Sequence, residues 1–172
     1  MNNHLRKDLV ASMHVSATPE TVFPLLCPVR EYDWIEQWQC TMIHTRSGVA
    51  ELGCVFQTTF KDNVRVEGEL IDTWVVCRYE PAHEIAFVRN NGHRTILYTI
   101  TLTPEAEGTR LDWTQQLTGL TTEGNSMVEN ATQADFSALI LSLEHLLNHY
   151  CSTGTRLSAS ELQARLADTG AE

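Results

Sequence analysis

The chain has 172 residues, of which 42% are hydrophobic and 20% charged, with 22 acidic against 12 basic side chains and a formal net charge of −10. This composition excludes a disordered or fibrous protein, and the length suits one domain. We predict a single domain over residues 1–172, with a core at about 9–151 and a peripheral tail at 152–172. The negative charge opposes contact with phosphate backbones and anionic headgroups, so we expect no nucleic-acid partner.

Targeting signals and cysteine usage point to the cytoplasm. No apolar run approaches the length of a membrane-spanning helix, so we expect no membrane insertion. The first nine residues contain Arg6, Lys7 and Asp8 instead of an apolar segment, so we expect no secretory signal. The five cysteines are an odd number, and none forms a C-x-x-C pair, which fits a reducing compartment.

The first part of the chain predicts one strand and two short helical segments. Residues 9–15 are predicted as a strand. Thr18 can cap a helix and Pro19 suits its first turn, whereas Pro28 ends it early. Residues 29–38 mix aromatic and charged side chains too irregularly for a strand, so we interpret them as a second short helix or an ordered loop.

The middle of the chain predicts an antiparallel meander. Six runs rich in β-branched and aromatic residues are separated by turn signals, of which Asn91-Gly92 is the strongest. On the last two runs, alternate residues such as Tyr98 and Trp113 define an apolar face opposite a face of threonine and charge. The predicted strands are residues 41–45, 55–60, 64–76, 85–89, 95–103 and 110–117.

A long C-terminal helix provides the surface on which this sheet can pack. Residues 125–151 contain no proline, and their apolar side chains recur at steps of three and four. A short peripheral helix is predicted at 158–166. The predicted fold class is therefore α+β, a curved antiparallel sheet wrapped around a long helix, with two short helices after the first strand. The helical stripe consists of Phe136, Leu139, Ile140, Leu143, Leu146, Leu147 and Tyr150.

The order of these elements resembles the START/polyketide cyclase-like (SRPBCC) superfamily, whose fold is called helix-grip. Residues 13–23 run from a strand through small residues to Pro-Glu and an apolar helix, which is similar to the opening of this family. Tyr79-Glu80-Pro81 followed by residues 85–88 is a further mark, and residues 27–38 look like an uncharacterised bacterial branch. The resemblance implies a deep cavity between sheet and helix. Relatives use it to carry lipids, hormones or polyketides, and occasionally to catalyse cyclisation or hydrolysis.

Candidate ligand-binding residues fall into three groups. Trp34 and Trp38 could line the cavity mouth and stack on a ligand ring, and Arg30 could hold an anionic group. Their alternative role is a lid packed on the sheet edge with its charges solvated. The second and third groups lie on the predicted inner face of the sheet and on the helical stripe: Tyr98, Trp113 and Gln115, and Phe136, Leu139 and Leu143.

Catalytic and metal-binding motifs are weak. His145 and His149 are four residues apart on the long helix, but no third ligand has suitable spacing, so we expect no metal site. No G-x-S-x-G motif or phosphate-binding glycine pattern occurs, and we expect no cofactor. A solvated or snorkelling histidine pair is the simpler interpretation.

Three functional hypotheses remain open. The first is binding or transport of a small hydrophobic molecule, such as a lipid, polyketide or aromatic metabolite, by a monomer or homodimer. The second is a cyclase, dehydratase or hydrolase in which Gln115, Tyr98, Arg78 or Asp72 assists proton transfer. The third is an interaction protein with an exposed indole patch. A titratable group in the cavity would favour the enzyme, and a uniformly apolar lining would favour the carrier.

Overall fold

A computed structural model describes residues 3–60 and 69–169. Its strands form one antiparallel sheet in the order β1-β7-β6-β5-β4-β3-β2. The strands are β1 (Arg6–Val15), β2 (Thr41–His44), β3 (Val55–Phe60), β4 (Leu70–Glu80), β5 (Glu84–Asn90), β6 (Arg94–Glu105) and β7 (Gly108–Gly119). The helices are α1 (Pro19–Val22), α2 (Thr122–Asn130), α3 (Gln133–Thr153) and α4 (Ala159–Thr169), with two 3-10 turns at Phe23–Leu26 and Glu31–Asp33.

The predicted meander is confirmed for the residues that the structure describes. Burial alternates along β6 and β7, so Tyr98 and Trp113 lie on the buried face as their sequence pattern predicts. Of the strand predicted at 64–76, residues 64–68 lie outside the described residues. The described part of that strand continues to Glu80. The α+β fold class predicted from the sequence is therefore correct.

A tight turn between β5 and β6 fixes how the C-terminal helices meet the sheet. Gly92 has a φ of 85°, the left-handed conformation that glycine adopts without strain, and its amide donates to the Asn90 side chain. Gly124 of α2 lies directly on this turn, because a Cβ there would come within 1.7 Å of the His93 carbonyl oxygen. The glycine therefore permits the close approach of helix to hairpin.

The prediction of one continuous helix over residues 125–151 is wrong. The helical segment begins at Thr122 and is interrupted at Ala131, whose extended backbone separates α2 from α3. Thr132 starts the second helix, since its hydroxyl accepts a hydrogen bond from the Asp135 amide at 3.1 Å. A threonine N-cap is non-helical by definition, so this capping interaction explains the break.

Helix α3 also covers the free edge of β1. The Gln133 side chain hydrogen-bonds both the amide and the carbonyl of Val10. Further along, Glu144 accepts from the His14 amide and Asn148 accepts from the Ser16 amide. These side chains hydrogen-bond backbone groups that would otherwise be available for pairing with another strand.

The core lies between the sheet, the segment after α1 and helix α3. Trp34 is fully buried, as are Ile140 and Leu147 of α3. Leu157, in the segment predicted to be peripheral, is also buried, at 1% exposure. Within the described ranges, no helix is long and apolar enough to cross a membrane.

Candidate ligand-binding site

A cavity of about 600 Å³ lies between the sheet, the segment from Leu26 to Gln39, and helix α3. Its volume is in the range of small-molecule pockets, roughly 300–1,000 Å³. The lining is dominated by aromatic side chains from five strands and from the segment that precedes β2. The aromatic residues are Trp34, Trp38, Phe56, Trp74, Phe87, Tyr98 and Trp113.

The strand aromatics form a continuous wall. Trp74 stacks on Phe56 with ring centroids 5.4 Å apart and meets Tyr98 edge to face at 5.8 Å. Tyr98 contacts Trp113 in the same way, also at 5.8 Å. Edge-to-face and offset contacts of this kind add to the stability from burial alone, so the wall is preorganised.

Trp34 and Trp38 both line the cavity, and their indole donors are used internally. Trp34 Nε1 donates to the Leu25 carbonyl at 2.9 Å, and Trp38 Nε1 donates to the Pro28 carbonyl at 2.8 Å. Trp34 is 0% exposed, so it belongs to the core as well as to the cavity wall. The hypothesis of an exposed indole patch is therefore wrong for this residue.

Tyr98 and Gln115 place polar groups within the aromatic wall. Tyr98 and Gln115 are cross-strand neighbours, and the Gln115 amide is a hydrogen-bond partner of the Tyr98 hydroxyl. Burial raises the pKa of Tyr98 above its usual value, so the phenol is neutral. Trp113 Nε1 is buried without a hydrogen-bond partner in the described part of the chain.

Helix α3 contributes aliphatic side chains to the opposite wall. Leu139 and Leu143 line the cavity. Leu139 is 47% exposed, which places it at the mouth together with the exposed Gln37 and Gln39. Phe136 is buried against the Tyr98 ring, at 6.5 Å between centroids, and packs in the core beside the cavity.

Arg30 lies away from the large cavity. Its guanidinium donates to Asp33 at 2.7 Å, and the residue borders a smaller pocket of about 100 Å³ near Phe23 and Tyr79. Because Asp33 already neutralises it, Arg30 is poorly placed to hold an anionic group of a ligand in the large cavity. That contact stays a prediction.

Glu31 was not among the predicted ligand-binding residues, but it lines the large cavity. Burial alone raises the pKa of its carboxyl to about 8, and no residue within 3–60 or 69–169 ion-pairs or hydrogen-bonds with that carboxyl. Burial raises the pKa values of Tyr98 and Cys40, and the nearby charge of Glu31 adds to both shifts. The cavity therefore contains a carboxyl group with no countercharge.

A second carboxyl near the cavity, that of Asp72, has the opposite environment. It is fully buried and faces Arg89 at 2.5 Å and Arg94 at 3.0 Å. Arg89 also lines the cavity, with its guanidinium 4.5 Å from the centre of the Trp74 ring. Arg78, proposed with Asp72 for proton transfer, is exposed and paired with Glu84. The irregularity between Val76 and Arg78 in β4 shifts the register at this point.

The two histidines on α3 have different environments. His149 lies near Thr155 and Arg165, whereas His145 Nε2 is buried without a partner in the described residues. No cluster of three or more His, Cys, Asp or Glu side chains within the described ranges has a geometry that could hold a metal.

The family comparison agrees with this geometry. Residues 6–147 match the sequence profile of the family described as polyketide cyclase / dehydrase and lipid transport. The chain belongs to this family. The resemblance drawn from the order of elements is thereby confirmed, and the cavity occupies the position that the resemblance implies. No curated protein matches the sequence.

Solved structures show the same fold at low sequence identity. An uncharacterised protein from Rhizobium leguminosarum is 18% identical with a TM-score of 0.58, covering 86% of this chain and 97% of that one. Major latex-like protein 151 from Panax ginseng is 11% identical with a TM-score of 0.62, covering 85% and 97%. DynU16, from the dynemicin biosynthetic locus, is 22% identical with a TM-score of 0.56, covering 86% of this chain and 48% of its own. These likenesses confirm the helix-grip fold.

Proposed function

We propose that the protein binds a small, largely apolar molecule in the cavity. The observation that carries this proposal is the cavity of about 600 Å³ lined by seven aromatic side chains. Such a lining supplies apolar contact area for a ring system, and the few polar groups fix its orientation. The family, which includes lipid transport proteins, supports the same function.

The unpartnered Trp113 donor adds a requirement on the ligand. A buried N–H without an acceptor is unfavourable by roughly 1–3 kcal/mol. A ligand oxygen or nitrogen that accepts from Trp113 Nε1 would remove this penalty. A ligand with such an acceptor should therefore bind more tightly than one of similar shape without it.

A mouth-blocking variant tests the binding function. The neutral fluorophore N-phenylnaphthylamine becomes bright in apolar sites, so a saturable rise is expected with one site per chain. Leu139→Trp should weaken this binding at least about tenfold, because Leu139 lines the mouth. Leu141→Trp is the matched control, since Leu141 is similarly exposed on the same helix but does not line the cavity. Absence of binding, or equal losses in both variants, would contradict the proposal.

A second candidate, proton transfer on the bound molecule, is favoured by Glu31. A carboxyl whose pKa is about 8 exchanges protons readily near neutral pH, as general acid–base catalysis requires. The ionised form would remove a proton α to a ligand carbonyl and return one to the same carbon. Deuterium exchange into the methyl group of acetonaphthone in D₂O tests this step by NMR. Equal exchange rates in the wild type and Glu31→Gln would contradict it.

A further inference from the structure

Glu31 constrains the charge of the ligand as well as its size. Ionisation of a carboxyl in an apolar cavity is unfavourable unless an opposite charge accompanies it. No described residue supplies that charge, because the carboxyl has no ion pair and no hydrogen bond there. A positively charged group on a bound molecule would supply that partner.

The aromatic lining is suited to a positive group. The negative face of an aromatic ring attracts a cation within about 6 Å. The attraction is strongest when the ring is an indole and the cation is desolvated. One such contact already exists in the cavity, between the Arg89 guanidinium and Trp74 at 4.5 Å. Trp34 and Trp38 belong to the same segment as Glu31, and their indole rings line the same cavity.

The other charged wall of the cavity is less suited to an anion. Arg89 is held by the Asp72 carboxylate at 2.5 Å and covered by Trp74, so an anionic ligand would compete with Asp72 for it. The formal charge of −10 also attracts cations to the surface and repels anions. The surface charge therefore favours a positively charged ligand, and the pairing with Asp72 makes Arg89 less available to an anion.

We propose that the cavity selects an apolar molecule bearing a protonated amine, with the ammonium group paired to the Glu31 carboxylate. This inference rests on the proposed binding function and names its ligand class. Pairing makes Glu31 a weaker base, so amine binding and general-base catalysis are alternative uses of this carboxyl. The titratable groups close enough to interact with its charge are Tyr98 and Cys40, and Arg89 lines the same cavity.

Calorimetric titration with a matched pair of probes tests this proposal. Naphthylethylamine and naphthylethanol share one ring system and differ in charge, because an alkylammonium stays protonated below a pH of about 10. At pH 8 the amine should bind the wild type at least about tenfold more tightly than the alcohol, equivalent to about 1.4 kcal/mol. At pH 7, amine binding should release close to one proton, because free Glu31 is mostly protonated.

Charge-neutralising variants supply the control. Glu31→Gln preserves the size of the side chain and should abolish both the amine preference and the proton release. Glu36→Gln removes an exposed carboxylate from the same segment, outside the cavity, and should leave both unchanged. A preference for the alcohol, or an amine preference that survives Glu31→Gln, would overturn the amine assignment alone. Failure of both probes to bind the wild type would overturn the binding function as well.

Discussion

Two carboxyl groups beside the same cavity have opposite surroundings. Asp72 on β4 faces two guanidinium groups within 3.0 Å, whereas Glu31 in the turn before β2 faces none in the described chain. A buried carboxylate with charged partners helps to define the structure, because removing it leaves those partners unpaired. A carboxyl without charged partners makes no such contribution. Asp72 is therefore a structural residue, and Glu31 is the group available to a ligand.

The largest expected effect concerns Asp72, whose charge is paired with two arginines. Asp72→Ala removes the carboxylate that faces Arg89 and Arg94, so the free energy of unfolding should fall by about 3–5 kcal/mol. Urea denaturation measures the loss. Asp112→Ala, which removes an exposed carboxylate paired with Arg110, should change stability by about 1 kcal/mol or less. Equal losses in the two variants would show that Asp72 is not a structural anchor.

The next effect concerns the packing that buries Glu31. Trp34→Ala should reduce the free energy of unfolding by about 3 kcal/mol, because the indole is fully buried and a cavity remains. Hydration through this gap should also lower the pKa of Glu31 towards its usual value. Trp38→Ala removes a half-buried indole and should destabilise the protein less. A smaller loss for Trp34→Ala than for Trp38→Ala would contradict the assignment of Trp34 to the core.

The sheet was predictable because its signals are local and periodic. Alternation along β6 and β7 places Tyr98, Trp113 and Gln115 on one face, and the structure has them lining the cavity. The break between α2 and α3 had a signal too, in Thr132 three residues before Asp135, but the apolar stripe on either side outweighed it. A capping residue predicts a helix start, whereas continued apolar periodicity predicts that the helix goes on. A single threonine is weak evidence for a helix start when the backbone geometry is not known.

The charges of the cavity were not predictable in the same way. Glu31 lies in a segment without periodicity, where a carboxylate next to Arg30 is ordinarily solvated. Only the tertiary fold shows that Arg30 pairs with Asp33 and that Glu31 lies in the cavity. The partners of Asp72 come from β5 and β6, so its role depends on strand pairing that sequence spacing does not specify.

The uncompensated carboxyl predicts an unusual pH dependence of stability. The unfolded chain ionises Glu31 from a pH of about 4.5, but the folded protein does so only near a pKa of about 8. Wild-type stability should therefore fall as the pH rises between these values, because the unfolded state loses its proton first. Glu31→Gln removes this contribution and should be more stable than the wild type at pH 8 by about 3–4 kcal/mol.

Unfolding curves from pH 4 to pH 9 measure this dependence. The two proteins should have similar stability near pH 4, where Glu31 is protonated in both the folded and the unfolded states. Glu36→Gln is again the control, and its curve should run parallel to that of the wild type. A stability difference between the wild type and Glu31→Gln that does not change with pH would show that the carboxyl is not isolated from solvent and charge.

The smallest expected effect concerns the Tyr98 phenol. Tyr98→Phe removes the hydroxyl that interacts with Gln115, so the free energy of unfolding should fall by about 1 kcal/mol. The Tyr98 phenol is neutral at neutral pH, so its loss should leave the pH dependence attributed to Glu31 unchanged. Combining Tyr98→Phe with Glu31→Gln should then give additive changes within about 0.5 kcal/mol. A larger deviation would mean that the Tyr98 hydroxyl and the Glu31 carboxyl are energetically coupled within the cavity.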